Sequence, residues 1–169
     1  MYNMSIDNNR ITAQLNLTYN KMFKKVRCVY DTGAMYTAIN ALSLDFDNSY
    51  KDYFRNVAEV KYIGGLIVNK DNKGISSDFA VYYKLHLNEV SIGNIVLKDV
   101  QIWVTFDDNV SNDIIGMDII SRLYTFICDG EVHVTNNKDE FNKFITSRRR
   151  VLNEDLPPII LNEELPPII

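Results

Sequence analysis

An apolar, β-branched run that ends in an acid on a tight turn constrains this chain more than any other feature: Val29-Tyr30-Asp31-Thr32-Gly33-Ala34. Phe23 to Tyr30 is rich in valines and aromatics, as a deeply buried strand is. Gly33 permits a backbone conformation that a residue with a Cβ would resist, so the chain can turn sharply and present Asp31 at its tip. Thr37-Ala38-Ile39-Asn40 then leaves the turn as a strand. The turn acquires chemical sense from a stretch far downstream, Asp113-Ile114-Ile115-Gly116-Met117-Asp118, where two apolar residues meet a glycine before a short helical segment.

These two motifs, with the strand that precedes the first and the helix that follows the second, resemble the retropepsin-like aspartic protease family over roughly residues 10–135. The resemblance implies an all-β, closed, barrel-like lobe with a flap hairpin, a short helix after the Ile-Ile-Gly strand, and a homodimeric enzyme. It makes Asp31 the catalytic acid. Thr32 would reach across a two-fold axis to the opposite turn, Gly33 would offer its carbonyl to substrate, and Ala34 would be small enough to let substrate lie close. Gly116 would let its strand pack against the catalytic turn. Asp118 stands where the family has Asn or Asp and is expected to cap the short helix. Retroviral members carry acidic residues after Asp-Thr-Gly-Ala and Arg after the later Gly. Here those positions are Met35-Tyr36 and Met117, so an acid–base pair is replaced on both sides by the soft, gap-filling thioether of methionine.

Length turns the resemblance into a statement about assembly. At 169 residues the chain is one domain with enough apolar content for a real core, and it holds a single Asp-Thr-Gly. It is too short for a two-lobed enzyme, so the second carboxylate of an aspartic protease must come from Asp31 of a second copy. Two such carboxylates share one proton, because like charges about 3 Å apart cannot both ionise cheaply. One takes a proton from a trapped water while the other hydrogen-bonds the scissile carbonyl. That chemistry requires no metal and no cofactor. No Cys/His spacing suggests a metal site, and His86 and His133 read as surface or sheet residues.

Net charge is −4 with both signs interspersed, so nothing points to nucleic acid; Arg148-Arg149-Arg150 is the only dense basic run. No stretch is apolar for long enough to span a bilayer, and the first residues lack the basic-then-apolar order of a signal peptide, which reads as cytoplasmic. Cys28 is expected to be a buried, reduced thiol; its pairing with Cys128 stays open, although a reducing compartment fits better.

Along the rest of the chain, residues 10–30 alternate as a β-hairpin, and 41–55 suggest a short helix or irregular insert. Val60–Val68 and Phe79–Leu87 form the arms of the hairpin that resembles the flap, for which Ile63, Gly64, Gly65 and Leu66 are the candidate substrate contacts. Either Gly64-Gly65 is its tip, or the tip is the 70–74 turn and the glycines are a bulge or kink. A turn at 91–95, a strand at 100–104 and a polar loop at 107–112 precede the Ile-Ile-Gly strand. Asp129-Gly130 signals a hairpin between two further strands. Domain boundaries are read as 1–137 for the protease-like domain, 138–150 for a short helix carrying Phe141, Phe144 and Ile145, and 151–169 for an extended tail. The tail is a tandem repeat, Leu152-Asn153-Glu154-Asp155-Leu156-Pro157-Pro158-Ile159-Ile160 followed by Leu161-Asn162-Glu163-Glu164-Leu165-Pro166-Pro167-Ile168-Ile169.

Two functions follow. One is a homodimeric aspartic endopeptidase acting on extended apolar peptides, its own tail included as self-substrate or tethered pseudo-substrate. The alternative is a catalytically weak module that dimerises and binds peptides.

Overall fold

The computed structural model describes residues 1–64, 67–68, 75–76, 79–108, 110 and 112–155. The elements run β1 (Tyr2–Asp7), β2 (Arg10–Tyr19), β3 (Met22–Tyr30), β4 (Ala38–Asn40), a 3-10 turn (Ala41–Leu44), α1 (Asn48–Val57), β5 (Val60–Gly64), β6 (Ile67–Val68) and β7 (Ile75–Ser76). They continue with β8 (Phe79–Ile92), β9 (Ile95–Thr105), β10 (Ile114–Ile115), α2 (Met117–Ile120), β11 (Tyr124–Cys128), β12 (Glu131–Thr135) and α3 (Lys138–Asp155). Residues Met1–Asn136 form one compact unit and Asn137–Ile169 another. Strands dominate the first unit. Among the described residues no helix is long and apolar enough to cross a membrane.

The predicted hairpin of residues 10–30 is β2 and β3, joined at Asn20-Lys21, both with positive φ (45° and 66°), the geometry whose twist matches that of paired strands. A second pair of asparagines, Asn8 (φ 48°) and Asn9 (φ 62°), makes the same turn between β1 and β2. That Asn-Asn signal could have exposed β1, which the sequence reading passed over. Asp129 (φ 52°) and Gly130 (φ 75°) join β11 to β12 as expected. The strands on either side of Gly93-Asn94 are longer than predicted, because side chains alternate towards the core through Ile92 and again from Ile95.

The main sheet has the order β11-β12-β1-β2-β3-β10-β4-β9-β8-β5. Its path returns on itself, because β2 also pairs with β8 through Leu15↔Ile92 and Leu17↔Val90. The long β8 makes this possible: its first half carries β5 and its last residues carry β2, while β9 runs beside it throughout. Inside lie Leu15, Leu17, Ile39, Leu44, Ile92 and Ile102, all essentially inaccessible. The predicted insert at 41–55 is a 3-10 turn and α1. Asp47 caps α1 by accepting from the amides of Ser49 and Tyr50, and buried Phe54 stacks on Tyr83 at 6.3 Å between ring centroids. A smaller cluster, Ala80, Tyr82 and Trp103 with Tyr36, Ala38 and Val110 against it, lies apart from the main core.

Cys28 is buried in β3 and no disulfide joins it to Cys128, so the pairing left open by the sequence is not made. Burial pushes the Cys28 thiol well above its usual range, with the nearby Asp113 charge adding to the effect. In the second unit α3 runs to Asp155, past the boundary expected at 150, and Asn137 caps it by accepting from the amides of Asp139 and Glu140. The opening Leu152-Asn153-Glu154-Asp155 of the repeat is thus helical. Pro157 and Pro158, which cannot continue a helix, come just after.

Candidate active site

β3 delivers Asp31 to the surface, and the turn that follows it is held by a strand from far downstream. β10 lies between β3 and β4, parallel to β3 (Ile114↔Val29, Ile115↔Tyr30) and antiparallel to β4 (Ile114↔Ala38). The backbone bonds continue past the strand ends: Val29 N donates to Asp113 O (2.8 Å), Asp31 N to Ile115 O (3.0 Å), and Met117 N to Ala34 O (2.8 Å). Asp31 is therefore fixed at its amide by β10, and the chain leaving the turn is fixed by the start of α2.

The Asp31 carboxylate is half-buried and accepts the Gly33 amide at 2.8 Å through Oδ1, and Ala34 N donates to Asp31 O at 3.2 Å. The reason for Gly33 differs from the one expected. Its φ is not in the left-handed range; the glycine is needed for room, since a Cβ there would stand 3.1 Å from Asp31 Oδ1. Thr32 is exposed and Ala34 half-buried. Beside Asp31 opens a hollow lined by Arg10, Ile11, Val29, Asn112 and Ile114 among others, large enough to receive a side chain.

Gly116 packs against the backbone of Tyr36. A Cβ at this position would come within 2.5 Å of the Tyr36 carbonyl carbon and oxygen, so no larger residue fits. Gly116 N also donates to Thr37 Oγ1 at 3.0 Å. Thr37, at 0% exposure, is the hub that sequence reasoning missed. Its hydroxyl donates to Asp118 Oδ1 (2.6 Å) and its amide to both Asp118 oxygens (3.0 and 2.9 Å). Asp118 is thus not the helix cap that was expected. The cap position of α2 is Gly116, with no side-chain bond, and Asp118 spends its carboxylate on Thr37 and on its own neighbour Ile119 N. A residue in the first turn of a helix can turn its carboxylate away to a buried hydroxyl that offers a better donor. A second carboxylate does similar work nearby: Asp113 accepts from Asn40 N (2.7 Å) and Ser43 Oγ (2.6 Å), joining the start of β10 to the end of β4.

Replacing Asp118 with Ala strands the amide and hydroxyl of a buried threonine. We expect a loss of about 3 kcal/mol in unfolding free energy, the cost of a charged acceptor removed from two buried donors. Urea denaturation reads it, and Asp118→Asn, which keeps one acceptor oxygen, loses less.

The predicted flap residues are only partly placed. Ile63 and Gly64 lie in β5, where Gly64 is opposite Phe79; Gly65 and Leu66 lie outside the described residues. Gly64 pairs within β5 and so belongs to an arm, and the alternative tip at 70–74 lies outside the described residues. His133 is buried in β12 with Nδ1 2.6 Å from Asn3 Oδ1, and His86 is exposed on β8, both in the sheet as read. Among the described residues no group of three His, Cys, Asp or Glu side chains is placed to hold a metal ion.

A downstream strand runs between the two arms of the Asp-Thr-Gly turn and is followed at once by a short helix. A crystal structure of a retropepsin-like aspartic protease from Rickettsia conorii shares that fold, with a TM-score of 0.51 over 79% of this chain and 97% of the other, at 19% sequence identity. No protein-family model and no curated protein matches the sequence.

Proposed function

We propose that this chain is one half of a homodimeric aspartic endopeptidase, with Asp31 of each copy supplying one carboxylate of the catalytic pair. The observation that carries the reading is the placing of Asp31. It stands on a turn tied by β10 and α2 on both sides, with an accessible carboxylate and an open hollow beside it. The fold shared with a retropepsin-like aspartic protease supports the same chemistry.

In this mechanism the pair shares one proton and titrates as a unit. The ionised member takes a proton from the bridging water as that water attacks the peptide carbonyl. The protonated member bonds the carbonyl oxygen, and a proton passes to the departing amine. Activity falls once both members ionise. The Gly33 amide keeps Oδ1 of each acid oriented, Thr32 bonds across the axis, and the Ile63-Gly64 arm flanks the substrate.

The surface around the turn supports a second copy as partner. Met35 is 68% and Met117 37% exposed, and their backbones are adjacent through the bonds at Ala34–Met117 and Met35–Asp118. β11 ends the strand order with Ile127 60% exposed, and Tyr30 Oη bonds Thr125 Oγ1 at 2.6 Å, tying β11 to the strand that leads into Asp31. Exposed apolar side chains beside the turn suit an isologous interface, where each patch meets its own copy.

The tail repeat supplies a candidate substrate. Leu-Pro-Pro-Ile-Ile is extended and apolar, and the Ile160–Leu161 bond joins two large apolar residues. At mildly acidic pH a peptide spanning that bond is expected to be cut, with specific activity falling on dilution as dimers separate. Intact mass should show the same cut in the chain itself, and removal of residues 151–169 should raise turnover of other peptides if the tail competes for the cleft. Peptide bound but not cut would mark a binding module, and specific activity that does not change down to a monomeric mass would sink the dimer.

A further inference from the structure

β5 stands at one end of the sheet order, hydrogen-bonded along its length to β8 alone among the described strands. Lys61 reaches across from it to the segment that follows the Asp31 turn. Lys61 Nζ donates to Tyr36 Oη at 2.8 Å, lies 4.0 Å from the centroid of the Tyr36 ring, and lies 4.8 Å from that of Trp103. The two rings meet edge to face at 5.9 Å and so form a corner around the ammonium. Tyr36 is the residue whose backbone Gly116 fits against, and its neighbour Thr37 is held by Asp118 and by Trp103 N, which donates to Thr37 O at 2.9 Å.

The charges nearby are otherwise engaged. Glu59 pairs with Lys84 at 2.9 Å, and that bond holds its carboxyl below the usual range. Asp118 is spent on Thr37. Among the described residues no carboxylate lies within ion-pair distance of Lys61; its charge is felt by Glu59 at longer range, and its direct contacts are π faces and a phenol oxygen. Such a cation is best satisfied while it stays over the rings.

We propose that Lys61 is a positioning residue that seats β5 against the Asp31 turn through the Tyr36–Trp103 corner, and so sets how tightly substrate is held beside Asp31. This rests on the endopeptidase reading above. The contact lies outside the reacting pair, so it acts on binding and leaves the proton transfers alone.

Trp103 is the only tryptophan, so its emission reports the corner directly. Lys61→Met keeps the length and removes the charge, whereas Lys61→Arg keeps a cation that stacks on aromatic faces. The Met variant is expected to shift Trp103 emission and to speed amide exchange in residues 60–63 about tenfold, the size a partly buried cation–π contact implies. It should also raise KM for peptide hydrolysis by a similar factor while kcat stays within about twofold, with Arg restoring all three. Unchanged emission and exchange in Lys61→Met would overturn the seat. Altered exchange with unchanged KM, or an equal fall in kcat, would overturn the positioning role. A wild type that binds but never cuts the peptide would remove the endopeptidase reading, and peptide affinity would then be read in place of KM, with the same expected loss and the same rescue.

Discussion

Under the proposed dimeric endopeptidase mechanism, Asp31→Asn is expected to abolish peptide hydrolysis, by more than about a thousandfold, while leaving the fold and the proposed dimer intact. The size follows from the chemistry: one substitution alters both members of the pair, and general acid–base assistance of this kind is worth about 10²–10⁴ in rate. The fold should survive because Asn is nearly isosteric and its carbonyl oxygen can still accept the Gly33 amide, the one bond the Asp31 side chain makes among the described residues. Unfolding free energy should stay within about 0.5 kcal/mol of wild type, as for a substitution away from the core. A mixing experiment adds the decisive arm. Excess Asp31→Asn chain, allowed to exchange subunits with wild type, should suppress wild-type activity, since each mixed dimer holds one ionisable acid where two are needed. Hydrolysis that persists in the variant, or wild-type activity indifferent to the excess, would mean that Asp31 is not half of a shared site.

Gly116→Ala is expected to be strongly destabilising. The added methyl would lie 2.5 Å from two backbone atoms of Tyr36 and 2.9 Å from a third. Backbone cannot rotate away as a side chain can, and this stretch is held further by Thr37 bonded to Asp118 and Trp103. Overpacking against a fixed neighbour places the cost at about 3 kcal/mol. It should be read as a fall in the urea midpoint at unchanged slope. A loss below about 1 kcal/mol would show that β10 and the turn can separate, and with it that the turn is less firmly held than its bonds suggest. Gly33→Ala is the informative contrast. There the methyl meets only the Asp31 carboxylate oxygen at 3.1 Å, so stability should change little while the acid is displaced.

How much of this was legible in advance differs from element to element. The hairpins announced themselves because turn chemistry is local: Asn20, Asp129 and Gly130 take left-handed backbone that few other residues accept easily. β1 was overlooked although Asn8-Asn9 carry the same signal. The helix at Lys138 was visible in its apolar spacing, but its end at Asp155 was not, since the repeat's opening residues are compatible with either helix or extended chain. Asp118 was placed in the right neighbourhood with the wrong partner: a first-turn acid near a helix start reads as a cap, and nothing local reveals that a buried threonine elsewhere will claim it.

The sequence by itself determined the strand-rich class, the acid on its turn, the glycine after Ile115, and the presence of a single Asp-Thr-Gly. All of these depend on residue type and on neighbours a few positions away. Only the tertiary structure decided that β10 enters between β3 and β4, that Thr37 rather than a helix end receives Asp118, that Gly33 is there for space and not for a left-handed bend, and that Lys61 rests on Tyr36 and Trp103. Those facts join positions distant in the chain, and which distant groups meet is settled by burial and hydrogen-bond satisfaction over the whole lobe, which no local stretch encodes.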